Sequence, residues 1–123
     1  MNSNLLRDRI IAVLLLVIPL LACGKSAKYS PSCQSAAPLT SPWASMNLPV
    51  DEGRVCSSTS SRVEIQFLKG TAETWRSQFE NRLLALGYAK DMCTDNRCLF
   101  KRDKQRVNLM ALETKYWKSI VLF

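Results

Sequence analysis

The residues best equipped for covalent chemistry in this 123-residue chain are five cysteines: Cys23, Cys33, Cys56, Cys93 and Cys98. No histidine accompanies them. That removes the commonest general base, the usual Ser-His-Asp and Cys-His nucleophile arrangements, and the HExxH zinc motif. A structural zinc site built on cysteine wants two close pairs, and only Cys93 and Cys98 stand close together. The four glycines form no Gly-rich phosphate loop. Carboxylates occur in pairs at Asp51/Glu52 and Asp91/Asp95, but in turn-like sequence where solvated charge is the ordinary outcome. The expectation is a chain that is not an enzyme and that holds neither metal nor cofactor.

Cys23 differs from the other four in what precedes it. The chain opens "MNSNLLRDR", in which Arg7, Arg9 and the amino terminus outweigh Asp8, and continues "IIAVLLLVIPLLA" over residues 10–22. This is a charged region followed by an apolar one, the order of an export signal. Thirteen helical residues rise about 20 Å, short of the roughly 30 Å hydrocarbon core, and Pro19 weakens the last turn. A removable signal fits better than a permanent span. It ends Leu20, Leu21, Ala22, Cys23, Gly24. That ending resembles the lipobox of bacterial lipoproteins. The resemblance implies that residues 1–22 are a signal peptide cut away after Ala22, and that the Cys23 thiol carries a diacylglyceryl group. The new amino group would usually be acylated as well. Two or three acyl chains make attachment stable where one does not. Gly24 is not the aspartate that favours inner-membrane retention in enteric lipoproteins, so the resemblance leans toward the outer membrane, facing the periplasm.

Cleavage leaves residues 23–123, enough for one domain. Losing Arg7, Arg9 and Asp8 leaves 15 Lys/Arg against 9 Asp/Glu, a net charge of +6. In a bacterial envelope such a charge meets anionic lipid, lipopolysaccharide phosphate and wall polymers, and the compartment argues against nucleic acid. The expected partners are membrane lipid through acylated Cys23, together with an envelope protein or an anionic glycan or lipid. The four remaining cysteines suggest a disulfide framework with three formal pairings. In "CTDNRC" the two thiols flank a four-residue polar stretch, as facing positions at a hairpin mouth would. Cys93 is therefore paired with Cys98, and Cys33 by default with Cys56. On the chain-entropy account these contribute about 2 and about 3.5 kcal/mol.

Residues 23–50 are rich in Ser, Ala and Pro and read as lipidated terminus, tether and irregular chain, with only residues 24–32 needing to be free. The folded domain is expected over residues 51–123. "GRVCSS" and "RVEIQFLK" are strands, the second with the period-2 alternation of a half-buried strand. "TAETWRSQFENRLLALGY" is a helix with Thr71 as N-cap, an apolar stripe of Ala72, Trp75, Phe79, Leu83 and Leu86, and a Schellman ending at Gly87 and Tyr88. Four further strands follow as a meander, with two-residue turns at Asp103–Lys104 and Thr114–Lys115. The fold class is α+β: one amphipathic helix packed on an antiparallel sheet of five to six strands in ββαββββ order, stapled by disulfides.

This register puts Cys98, Phe100, Val107, Leu109, Ala111, Ile120 and Leu122 on one face. Leu99, Met110, Leu112, Trp117, Val121 and Phe123 fall on the other. One helix cannot cover both, so the segment around Trp43, Met46 and Leu48 is expected on the second face. Otherwise Met110, Leu112, Trp117, Val121 and Phe123 form a binding face. The densest charge, at Lys101, Arg102, Lys104 and Arg106, is a hairpin tip or an anion contact. A small basic interaction or structural domain on an envelope lipoprotein is the leading expectation. A ligand-binding or inhibitor lipoprotein is the alternative, although lysozyme-inhibitor lipoproteins are β-barrels without a central helix and would want acidic surface.

Overall fold

The computed structural model describes residues 26–123, so the expected signal peptide, lipobox and Cys23 lie outside the described residues. Six strands form one antiparallel sheet: β1 (Gly53–Ser58), β2 (Val63–Phe67), β3 (Ala89–Cys93), β4 (Arg97–Arg102), β5 (Gln105–Glu113) and β6 (Lys118–Leu122). Their spatial order is β1-β2-β6-β5-β4-β3. The helix α1 (Ala72–Ala85) joins β2 to β3 and lies over the strands between them, chiefly β5 and β6. The expected ββαββββ order and α+β class are what the chain adopts. Among the described residues no helix is long and apolar enough to cross a membrane.

Local sequence explains both helix ends. The Thr71 hydroxyl accepts from the Thr74 N–H at 3.1 Å, and Glu113 on β5 accepts from the Ala72 N–H at 3.2 Å. A carboxylate and a cap thus meet amide groups that have no partner within the helix, where the dipole favours negative charge. At the other end the Tyr88 N–H donates to the Leu83 carbonyl and the Gly87 N–H to that of Leu84, both at 3.0 Å. Gly87 has φ +92°. This is the expected Schellman ending, and it needs a residue without Cβ at that position. The stripe of Ala72, Trp75, Phe79 and Leu83 is buried, with the Trp75 ring stacked 3.9 Å from that of Phe67.

The core on the helix side joins these residues to Val63, Ile65, Phe100, Leu109, Ile120 and Leu122. Trp43, Met46 and Leu48 belong to the same cluster. That corrects the expectation that this segment covers the opposite face. Residues 28–34 lie there instead. Ser30 is buried against Gln66, and the carbonyls of Cys33 and Gln34 accept from the Arg54 guanidinium at 3.1 and 2.9 Å. Between these two stretches the chain passes along β1, where the Ala37 N–H donates to Val55 O at 2.8 Å. The N-terminal segment is therefore a strap that crosses the second face, rounds the β1 edge and ends on the helix side. It also covers an edge that would otherwise offer unpaired amides.

Three further differences have simple causes. Strand β2 was expected to be half-buried, but it sits between β1 and β6 with the strap beneath it, so Gln66 is as buried as its apolar neighbours. In the β5–β6 connection Glu113 pairs with Lys118 and the Thr114 N–H bonds Trp117 O, so Lys115 and Tyr116 are the central turn residues. The register moves by two, which keeps every side chain on its expected face. Finally, the free stretch expected over residues 24–32 is shorter, because the Lys28 N–H already donates to Tyr116 O at 3.1 Å.

Both expected disulfides are present. Cys93 and Cys98 are directly opposite in the β3–β4 hairpin, with Cα atoms 4.1 Å apart. Cys33 and Cys56 have Cα atoms 4.7 Å apart and fasten the strap to β1. Cys56 is the extra residue of a β-bulge, between Val55 opposite Ile65 and Ser57 opposite Glu64. A bulge re-aims a side chain, and here the re-aimed thiol meets Cys33.

Candidate functional site

A concavity of about 590 Å³ opens at the end of the sheet where β4 turns into β5. Five stretches of chain build it: the strap, the β1–β2 turn at Ser60 and Ser61, the helix end, the β4–β5 hairpin and Phe123. The strap contributes Trp43 and Met46, held in place by the Trp43 indole N–H donating to Thr59 O at 2.7 Å. The helix end contributes Leu86 and Tyr88. The hairpin contributes Arg102, Gln105 and Arg106, while the ring of Phe123 stands at the rim, 37% exposed.

One wall is held by Arg102. Its guanidinium donates to Leu86 O at 2.7 Å and to Gln105 Oε1 at 2.6 Å, and lies 4.6 Å from the centre of the Tyr88 ring. The Tyr88 hydroxyl donates to the same Gln105 oxygen at 3.3 Å. Arg102 thus satisfies a carbonyl at the negative end of α1, bonds Gln105 and stacks on an aromatic face at the same time, a combination that a planar guanidinium with several donors makes and a single ammonium does not. Tightness comes also from the two-residue turn at Asp103 and Lys104, as expected, with Asp103 at φ +55°.

The expected anion cluster is therefore divided. Lys101 pairs with Asp91 at 2.8 Å, Arg102 is occupied, and Lys104 and Arg106 are exposed at the hairpin tip. Only Arg106 of the exposed pair reaches the groove. Ser45, Ser60 and Ser61 bring hydroxyls to it, yet no carboxylate lines it to act as a base toward them. No group of three His, Cys, Asp or Glu close enough to hold a metal occurs among the described residues. An apolar floor with a guanidinium at the rim suits recognition of an amphipathic, anionic group.

The expected binding face on the other side is divided as well. Val121 is 2% exposed, in the middle of the sheet between Glu64 and Met110. Met110, directly across from it, is partly covered. Leu112 and Trp117 lie toward the β5–β6 turn, and Phe123 lies at the opposite end by the groove. These five residues do not form one surface. The sequence reading missed Trp43, Met46, Tyr88 and Gln105 as groove residues, since nothing local signals that strap, helix end and hairpin converge.

Comparison with protein-family models, with curated proteins and with solved structures finds no match to this chain.

Proposed function

We propose that this chain is a bacterial envelope lipoprotein, anchored through acylated Cys23, whose basic α+β domain is a non-catalytic binding module presenting the groove beside Arg106. One observation supports this most. The fold takes hold of the chain at Lys28, five residues after Cys23, at the β5–β6 turn, whereas the groove opens at the other end of β5. The run of β5 from Gln105 to Glu113 covers roughly 27 Å at about 3.4 Å per residue. Lys28 and the groove thus stand at opposite ends of the sheet, the arrangement wanted in a module that is held at a membrane and reaches a partner beyond it. The two disulfides fit an oxidising compartment outside the cytoplasm.

Two experiments bear on the two halves of the reading. Labelled palmitate should enter the wild-type chain and not Cys23→Ser; equal labelling removes the anchor. A photo-crosslinking residue at Ser60, in the groove, should capture a discrete envelope component in cells. The same probe at Ser77, exposed on α1, should not. Capture that is the same from both positions, or absent from Ser60, removes the groove as the binding site.

A further inference from the structure

We infer that the β5–β6 turn is a membrane-docking tip, seated on the anionic headgroup surface to which Cys23 tethers the chain. This rests on the proposed acylation of Cys23. Lys28 follows Cys23 by five residue steps, which span at most about 18 Å when fully extended. The Lys28 N–H bonds Tyr116 O, so the tip lies within that distance of the anchor. Its composition is that of an interfacial segment. Tyr116 and Trp117 are partly exposed aromatics, and Leu112, on the same face as Trp117, is 38% exposed. The ammonium groups of Lys28 and Lys115 lie 5.1 and 5.5 Å from the centre of the Tyr116 ring. Aromatic rings flanked by lysine favour the headgroup level of a bilayer, where each lysine near an anionic surface is worth roughly a fivefold gain in partitioning.

The neighbouring carboxylates do not cancel these charges. Glu113 is turned to the Ala72 N–H at the start of α1, and Asp51 and Glu52 stand ahead of β1 at the edge of the sheet. The tip is also rigid before it meets lipid. Thr114 accepts from the Trp117 N–H at 3.0 Å through its hydroxyl and donates through its own N–H to Trp117 O at 3.0 Å. Little ordering then remains to oppose docking. The other two tryptophans, Trp43 and Trp75, are 3% and 5% exposed, which makes quenching of tryptophan fluorescence by lipid-borne bromine a report chiefly on Trp117.

The test uses the full chain purified from membranes and reconstituted in vesicles of brominated phosphatidylcholine, with and without phosphatidylglycerol. Flotation with the vesicles reads the anchor, and bromine quenching of tryptophan reads the tip. The expected result is quenching in the anionic vesicles that Trp117→Phe abolishes. Lys28→Gln combined with Lys115→Gln should reduce it to the level in phosphatidylcholine alone. A chain that floats unquenched overturns the docking while leaving the anchor standing, as does quenching that survives Trp117→Phe. Quenching indifferent to phosphatidylglycerol and to the lysine changes overturns the anionic surface. A chain that does not float overturns both.

Discussion

Ser30 and Gln66 exchange two hydrogen bonds beneath the sheet: the Ser30 N–H donates to Gln66 Oε1 at 3.0 Å, and Gln66 Nε2 donates to Ser30 Oγ at 2.8 Å. Both residues are buried, and 36 positions separate them in sequence. A central strand thereby recognises the start of the strap by polar complementarity where packing alone would not choose a register. Gln66→Leu should leave the Ser30 amide buried without its partner, at a cost of about 1–3 kcal/mol. Urea denaturation gives the loss, and amide exchange at Ser30 should accelerate while the centre of β5 stays protected. Unchanged exchange at Ser30 would mean that the strap is held by Cys33 alone.

The two arginines of the β4–β5 hairpin should separate by role. Arg102→Ala removes the bond to Leu86 O and the stack on Tyr88, and is expected to cost about 1–2 kcal/mol, with little recovery in Arg102→Lys. Arg106→Ala should stay within about 0.5 kcal/mol of wild type, as an exposed site does, while weakening whatever the groove binds. Equal thermal stability of Arg102→Ala and wild type would contradict the structural assignment.

Non-reducing peptide mapping should find Cys33 joined to Cys56 and Cys93 to Cys98. Replacing Cys33 and Cys56 together with serine is expected to cost about 3.5 kcal/mol, against about 2 kcal/mol for the shorter ring. The first replacement should also speed amide exchange along the strap, since the bridge fixes it to β1. A crossed pairing, or loss from the second replacement alone, would contradict the assignment.

A chain beginning after Val50 should lose cover at three places: the second face over Gln66, the β1 edge, and the helix-side cluster of Trp43, Met46 and Leu48. Exposed apolar surface and an open edge strand favour association. The shortened chain should bind a hydrophobic dye or aggregate, whereas the chain from residue 24 should do neither. A well-behaved monomer from the short form would show the strap to be dispensable.

What the sequence disclosed follows the range of the forces involved. The helix was legible in full because cap, stripe and Schellman glycine act within one or two turns of Thr71 and Gly87. Sheet faces were legible because the side-chain period is two, and they survived a turn misplaced by one residue at Lys115 and Tyr116. The Cys93–Cys98 ring was local enough to be read from its spacing. The course of the strap was not, because Ser30 finds Gln66 and Trp43 finds Thr59 through single long-range contacts that leave no periodic trace. Arg102 read as free charge for the same reason: its partners Leu86 and Tyr88 lie on another element.

The most direct measurement is the intact mass of the protein extracted from the membranes of cells that express the full chain. The account predicts a polypeptide of residues 23–123 whose amino-terminal Cys23 carries two or three acyl chains, with all four remaining cysteines oxidised. A mass that retains residues 1–22, or that shows Cys23 unmodified, would contradict it.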